Sequence, residues 1–324
     1  MKICLYGVGA VGGLLGARIA ATGRPVAAVA RGTTLEALQR DGLGLETAAG
    51  RHYHPLRAVA DPAELGPQDL VIVAVKQPAL AAVAAAIGPL VGPGTRVMTA
   101  MNGVPWWFFD GLPGPLAGER LTSVDPAGEL RARIPSEQVI GCVVHIACAT
   151  PAPGVSRHKM GNGLIIGEPA GPASAATEAV AAVLREAAFD VTVSARIQRD
   201  IWFKLWGNMT MNPVSALTGA TTDRILEDPL VDEFCVRVME EAAAVGARIG
   251  CPVTQSPAAR NAITRELGAM KTSMLQDVEA GRVLEIDALL GAVYEIAGKA
   301  GVAVPNTGAL LGLVRLFAQV RGLR

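Results

Sequence analysis

The 324-residue chain carries 29 acidic and 29 basic residues, and 51% of it is hydrophobic although only 4% is aromatic. That length exceeds what one hydrophobic core usually supports, so two domains are expected. A formal charge of zero leaves no general electrostatic attraction to nucleic acid or to anionic lipid, which excludes partners of those kinds.

In chain order, Ile3–Tyr6 reads as a short buried strand, and Gly7-Val8-Gly9-Ala10-Val11-Gly12 follows at once. An Ala/Leu-rich helix, Val11–Ala21, then stops at Thr22-Gly23. A G-x-G-x-x-G string alone is weak, but between a strand and a helix it is a dinucleotide fingerprint. Gly7 allows the tight turn, Gly9 lets the backbone approach a pyrophosphate, and Gly12 lets helix pack on strand. The phosphates meet the free N–H groups and the positive end of that helix. The next strand, Val26–Ala30, ends at Arg31-Gly32-Thr33. A site for NAD usually places an acid there for the ribose 2′-hydroxyl, whereas an arginine suits a 2′-phosphate, so Arg31 points to NADP(H). A plain surface arginine beside a turn is the alternative.

A helix over Leu35–Arg40 comes next, then an isolated His52-x-His54 pair, which reads as an exposed strand face because no further ligand lies nearby. Strands at Leu70–Val75 and Arg96–Ala100 flank a helix at Leu80–Ile87. The uncharged stretch from Gln77 to Thr95 is broken by Pro78, Gly88, Pro89, Gly92, Pro93 and Gly94, so it reads as crossover helix plus loop and not as a membrane span. Further strands are expected at Val139–Ala147, Leu164–Ile166 and Asp190–Val193, with a helix at Ala175–Ala187. Strand, crossover helix, strand is the grammar of a doubly wound sheet, whose ligands sit beyond the carboxyl ends of the strands. Lys76 and Asn102-Gly103 follow two such strands and are expected at the cofactor edge; a plain strand-end polar residue is the other reading of each.

From Arg196 onward the pattern is helical, at Ile197–Met211, Pro229–Ile249, Pro257–Leu267, Ser273–Ala280, Glu285–Ala300 and Thr307–Val320. Two domains are therefore expected, 1–195 for the dinucleotide and 196–324 for the substrate, tightly joined and with a cleft between them. Lys204, Asn208 and Asn212 are spaced four apart, so their heads share one helix face. A cation beside two neutral hydrogen-bonding groups suits a small oxygen-rich substrate. Partial burial makes an ammonium give up its proton more readily. The alternative is a snorkelling lysine with asparagines that bond backbone. Ser273 opens a Ser-x-x-Gln pattern that reads as a capping box, and Glu285 opens a helix whose dipole favours a carboxylate there. The five cysteines (Cys4, Cys142, Cys148, Cys235, Cys251) show no metal-ligand spacing and read as buried reduced thiols. The chain opens directly into its first strand with no signal peptide pattern, so a cytoplasmic protein is expected.

Together these pieces resemble the ketopantoate reductase (2-dehydropantoate 2-reductase) family. The matching motifs are, in order, Gly7 to Gly12, Val75-Lys76-Gln77, Asn102-Gly103, Lys204-Leu205-x-x-Asn208-x-x-x-Asn212-Pro213, Ser273-Met274-Leu275-Gln276-Asp277 and Glu285-Ile286-Asp287. The resemblance implies a Rossmann-type α/β domain followed by an all-α domain, an arrangement similar to 6-phosphogluconate dehydrogenase. It implies NADPH as hydride donor to a 2-oxo acid, 2-dehydropantoate, giving pantoate for the pantothenate and coenzyme A pathway. In that family pattern Lys204 gives the proton to the carbonyl oxygen, and Asn208, Asn212 and Ser273 bind substrate. Lys76, Asn102 and Glu285 contact the cofactor or order the catalytic site, with Asn102 also approaching substrate. Gly7, Val8, Gly9, Ala10, Val11, Gly12 and Arg31 form the dinucleotide site. A homodimer is the default assembly.

Two features depart from the compact members. The run from Val104 to Gln138, containing Pro105-Trp106-Trp107-Phe108-Phe109, is long, and it is expected to be either a lid or a subunit contact. Thr222 stands where those members carry another substrate-contacting asparagine. A β-hydroxyacid dehydrogenase is disfavoured because Arg199-Asp200-Ile201-Trp202-Phe203 brings no glycine to the lysine. A same-family reductase of a different 2-oxo acid and a non-catalytic NADPH-binding module remain as alternatives.

Overall fold

A computed structural model describes residues 1–324. The chain forms two compact units, one of residues 1–101 and 128–197, the other of residues 102–127 and 198–324. A single cut at 195/196 therefore has to be corrected: residues 102–127, which comprise Asn102-Gly103 and most of the long run after them, group with the helices.

The first unit is built on ten strands: β1 (Ile3–Tyr6), β2 (Val26–Val29), β3 (Leu43–Thr47), β4 (Gly50–His54), β5 (Arg57–Val59), β6 (Leu70–Val73), β7 (Arg96–Ala100), β8 (Val139–Ala152), β9 (Val155–Gly167) and β10 (Asp190–Val193). Its helices are α1 (Ala10–Ala21), α2 (Gly32–Asp41), α3 (Leu80–Ala86), α4 (Glu129–Arg133) and α5 (Ala175–Glu186). The sheet order is β4-β3-β9-β8-β7-β6-β1-β2-β5, with β10 alongside β9. From β5 through β2, β1, β6 and β7 to β8 every pairing is parallel. β1 and β6 are buried throughout, as apolar strands covered on both faces must be. The chain steps from β1 to β2 on one side and later to β6 on the other, so the carboxyl end of β1 is a topological switch point.

Beyond β8 the doubly wound pattern gives way to a mixed sheet. β8 and β9 form a long antiparallel hairpin with register shifts, and β3 with β4 form a second. Strands β3 and β5 are missing from the sequence reading because both are short and β3 is only partly buried, so alternation is faint. β4 is where His52 and His54 fall, with His52 exposed.

The second unit is helical: α6 (Ile197–Thr218, whose first residue still belongs to the first unit), α7 (Thr222–Glu227), α8 (Pro229–Arg248), α9 (Pro257–Glu266), α10 (Ser273–Glu279), α11 (Ala292–Ala300) and α12 (Pro305–Arg321). A π-helical turn, Asp287–Gly291, leads into α11. α6 runs seven residues beyond the Met211 expected from the sequence, with Pro213 inside it. An interior proline costs about 3 kcal/mol, and burial of Val214 and Ala216 beyond it offsets that cost. All five cysteines are free. Burial pushes the Cys4 and Cys235 thiols up to about 12, so neither is a ready nucleophile. No helix is long and apolar enough to cross a membrane.

Candidate active site

At the carboxyl end of β1 the chain turns through Gly7 at φ +101°, and a side chain there would meet Val75 Cγ1 at 2.5 Å. At Gly12 a Cβ would sit 2.1 Å from the Gly7 carbonyl oxygen, so only glycine lets α1 lie this close to the turn. Gly9 differs, because a Cβ there meets nothing within 4 Å. It is also the N-cap of α1 and offers no side chain to the first N–H groups. Those donors and the positive helix end are left for a phosphate.

A cavity of about 360 Å³ opens at this turn, within the range of small-molecule sites. Its lining includes Gly7, Val8 and Gly9 from the turn, Arg31 and Thr34 from the start of α2, and Tyr6 from β1. Val75, Ala79, Ala82 and Val83 supply an apolar wall. Ala10, Val11 and Gly12 lie outside the lining and contribute the start of α1. Lys76 also lies outside it, just before the 3-10 turn Gln77–Ala79.

Arg31 is exposed and sits at the N-cap of α2, whose first N–H groups receive no side-chain cap. The sequence reading missed Tyr6 and Thr34. Burial raises the Tyr6 phenol, and the Arg31 charge nearby lowers it part of the way back. The buried Tyr6 hydroxyl and the Arg31 guanidinium thus face each other at the wall of the cavity. An apolar wall, two helix starts with no side-chain cap and a cation fit a dinucleotide.

The helical unit carries the other candidate residues. Trp202 Nε1 donates to the Ala242 carbonyl at 3.2 Å and Trp206 Nε1 to the Met239 carbonyl at 2.7 Å, which pins α6 to α8. A Cβ at Gly246 would stand 2.4 Å from Trp202 Nε1, so that glycine admits the indole. The lysine face of α6 lies opposite these indoles. There Lys204 Nζ donates to Asn102 Oδ1 at 2.7 Å.

Asn102 is held by its neighbours. Gly103, at φ +80°, packs so closely that a Cβ would meet the Ala288 carbonyl oxygen at 2.5 Å, and the Val104 N–H donates to that same oxygen at 2.8 Å. Ala288 lies in the π-helical turn that begins two residues after Glu285. π-turns inside helices are frequent at functional sites. Asn102 and Lys204 are thus joined directly, and Glu285 stands in the segment on which Asn102-Gly103 rests. Asn102 and Glu285, expected to serve the cofactor as well, both belong to the helical unit.

Asn208 is half-buried and Asn212 is 6% exposed. Ser273 is corrected from cap to first helical residue, because the N-cap of α10 is Thr272, whose hydroxyl accepts the Leu275 N–H at 3.2 Å. The Ser273 side chain, exposed, is therefore not consumed by the cap. Thr222 is fully buried and donates to the Gly268 carbonyl at 2.9 Å, so its hydroxyl is used inside the fold.

The aromatic run is corrected too. Trp106, Trp107, Phe108 and Phe109 are all buried, with the Phe108 ring 5.3 Å from Phe109 and 5.9 Å from Trp202 of α6. Further along the segment, Glu295 of α11 accepts the Thr122 and Ser123 N–H groups at 2.8 Å each. These hydrogen bonds hold the Glu295 carboxyl below its usual range against the opposing effect of burial. The aromatics are core of the helical unit, where large apolar side chains gain most from leaving water.

A glycine-turn cavity on an α/β sheet and an asparagine-held lysine on a helical unit are features that a nicotinamide-dependent oxidoreductase requires. Comparison with known proteins narrows the class. Residues 3–171 match the family model for Ketopantoate reductase PanE/ApbA, and residues 196–318 match that for its C-terminal part. A 2-dehydropantoate 2-reductase from Mesorhizobium japonicum is 42% identical over 323 residues, 99% of each chain. One from Halobacterium salinarum is 30% identical over 322 residues, 98% of each. A crystal structure from Ralstonia solanacearum MolK2, provisionally described as a ketopantoate reductase, is 59% identical with a TM-score of 0.97, covering 100% of this chain and 99% of that one. The chain belongs to the ketopantoate reductase family.

Proposed function

We propose that the protein reduces 2-dehydropantoate to pantoate with NADPH. The observation that carries this is the Lys204–Asn102 hydrogen bond on the α6 face that also bears Asn208 and Asn212. When bound, the nicotinamide supplies the hydride that reaches the ketone carbon. Lys204 polarises the carbonyl and gives its oxygen a proton, and the resulting amine regains one from water. Asn102 Oδ1 accepts from the ammonium and so aims it. Asn208, Asn212 and Ser273 hold the substrate's oxygens, and Glu285 keeps the lysine charged and oriented. Gly7 to Gly12 carry the pyrophosphate, and Lys76 contacts the cofactor at the end of β6.

NADPH use measured against a panel of 2-oxo acids that includes 2-dehydropantoate, compared by kcat/KM, tests the reading. A clear preference for another 2-oxo acid would move the substrate within the family, a reading favoured by Thr222 having no hydroxyl left to offer. Tight NADPH binding with no turnover of any member would make the protein a binding module.

Preference for NADPH over NADH rests on Arg31 in the cavity lining, with the uncapped start of α2 beside it. Arg31→Ala is expected to raise KM for NADPH by about one to two orders of magnitude, the range of a charge-assisted hydrogen bond. NADH should be used nearly as before. Equal losses with both cofactors would remove Arg31 from the 2′-phosphate.

The protein's five free cysteines suit a reducing cytoplasm. A homodimer completes the reading, supported by the exposed Leu313, Leu316 and Val320 along one face of α12. Sedimentation equilibrium should give twice the chain mass for the wild type and the chain mass for Leu316→Glu. A wild-type monomer would dismiss the dimer.

A further inference from the structure

Arg260 of α9 lies against the same helix as the candidate catalytic lysine. Its guanidinium carbon is 5.7 Å from the centre of the Phe203 ring. A Cβ added at Gly207 would sit 2.9 Å from Arg260 Nε and 3.0 Å from Nη2, so glycine at 207 gives the guanidinium its place. Its Nε is buried without a hydrogen-bond partner. Three other arginines of the helical unit are paired with carboxylates: Arg265 with Asp232 at 2.7 Å, Arg282 with Asp277 at 2.9 Å and Arg315 with Asp287 at 2.7 Å. Arg260 has none. Burial alone lowers its affinity for a proton, with no anion restoring it. A half-buried cation without a counter-charge is costly, and such costs are retained mainly where a ligand repays them.

Position says which ligand. Phe203 and Gly207 form one row on α6, and Lys204 and Asn208 form the adjacent row. Residues three or four apart on a helix surface are about 5–6 Å apart at Cβ. In a 2-oxo acid the carboxylate is bonded directly to the ketone carbon, so a molecule with its ketone oxygen at Lys204 has its anionic end within reach of the next row. We propose that Arg260 binds the carboxylate of the 2-oxo acid substrate. This rests on the reduction described above. A guanidinium takes a carboxylate through two parallel N–H bonds, fixing the plane of the substrate as well as its charge.

The test compares the best 2-oxo acid of the panel with its primary amide, which keeps the ketone and loses the charge. Arg260→Gln should raise KM for the acid about ten- to a hundred-fold, with kcat nearly unchanged. KM for the amide should stay as it was, so the preference for acid collapses. Equal losses for acid and amide, or no change in either, overturn the proposal. So does a rise in KM for NADPH alone, which would give the guanidinium to a cofactor phosphate. Gly207→Ala guards against misfolding of the first variant, since alanine is the better helix former. By crowding the guanidinium it should raise KM for the acid a few-fold and leave the amide alone. Calorimetric binding of pantoate to the NADP⁺ complex reads the same contact without turnover. A wild type that turns over no 2-oxo acid counts against the proposed reaction, whereas pantoate binding weakened in Arg260→Gln still supports the contact; equal binding by both proteins overturns it.

Discussion

Lys204→Ala is expected to lower kcat by about two to four orders of magnitude, the usual contribution of a positioned general acid. The loss combines two effects, absence of the proton and absence of the charge that polarises the ketone. Lys204→Arg separates them, because a guanidinium keeps the charge but holds its proton at any working pH. That variant should recover little of the lost rate. KM for NADPH should change little in either, because the nucleotide cavity is lined by residues of the other unit. Stability should also hold: Lys204 is only half-buried, and α6 is anchored through Trp202 and Trp206 on its opposite face. Glu285→Gln should reduce turnover less, since it acts through the lysine. Stopped-flow measurement of NADPH oxidation gives kcat directly. A Lys204→Ala enzyme that keeps most of its rate would falsify the proton-donor role and leave a snorkelling lysine.

The sequence discloses this site unevenly, for physical reasons. Gly7, Gly9 and Gly12 are legible because their spacing is itself the geometry: a positive φ, an open approach and a 2.1 Å closeness that only glycine survives. Lys204, Asn208 and Asn212 are legible because helical period fixes a face. That Asn102 meets Lys204 across 102 residues of chain is expected only by resemblance, and no local pattern encodes it. Thr272 and Ser273 are adjacent and chemically equal as caps, so spacing cannot choose between them; the backbone does. Pro213 signals a helix end that tertiary burial overrules. Arg260 is silent in sequence, because its meaning lies in the partner it lacks and in the glycine facing it. Tyr6 and Thr34 could have been found, since both adjoin the strand ends where such sheets bind ligands.

The second large effect falls on stability. Phe108→Ala is expected to cost about 3–5 kcal/mol, the usual range for deleting a buried aromatic ring. Phe108 is 0% exposed and packs edge-on to Phe109 and tilted against Trp202, the residue that also bonds α8. Removing its ring leaves a void between the 102–127 segment and α6, and close-packed surroundings collapse into such voids only in part. Trp106→Ala and Trp107→Ala belong to the same class, at 2% and 1% exposure. A lid would behave differently, because a mobile cover rearranges substrate preference while the core stays intact. Hydrogen bonds from Thr122 and Ser123 to Glu295, and the Lys299–Glu119 ion pair at 2.7 Å, tie the segment to α11 as well. Urea unfolding followed by tryptophan fluorescence should show the lowered midpoint. Just below that midpoint, the folded fraction of Phe108→Ala should rank 2-oxo acids as the wild type does. An unchanged midpoint with an altered ranking would restore the lid and remove the segment from the core.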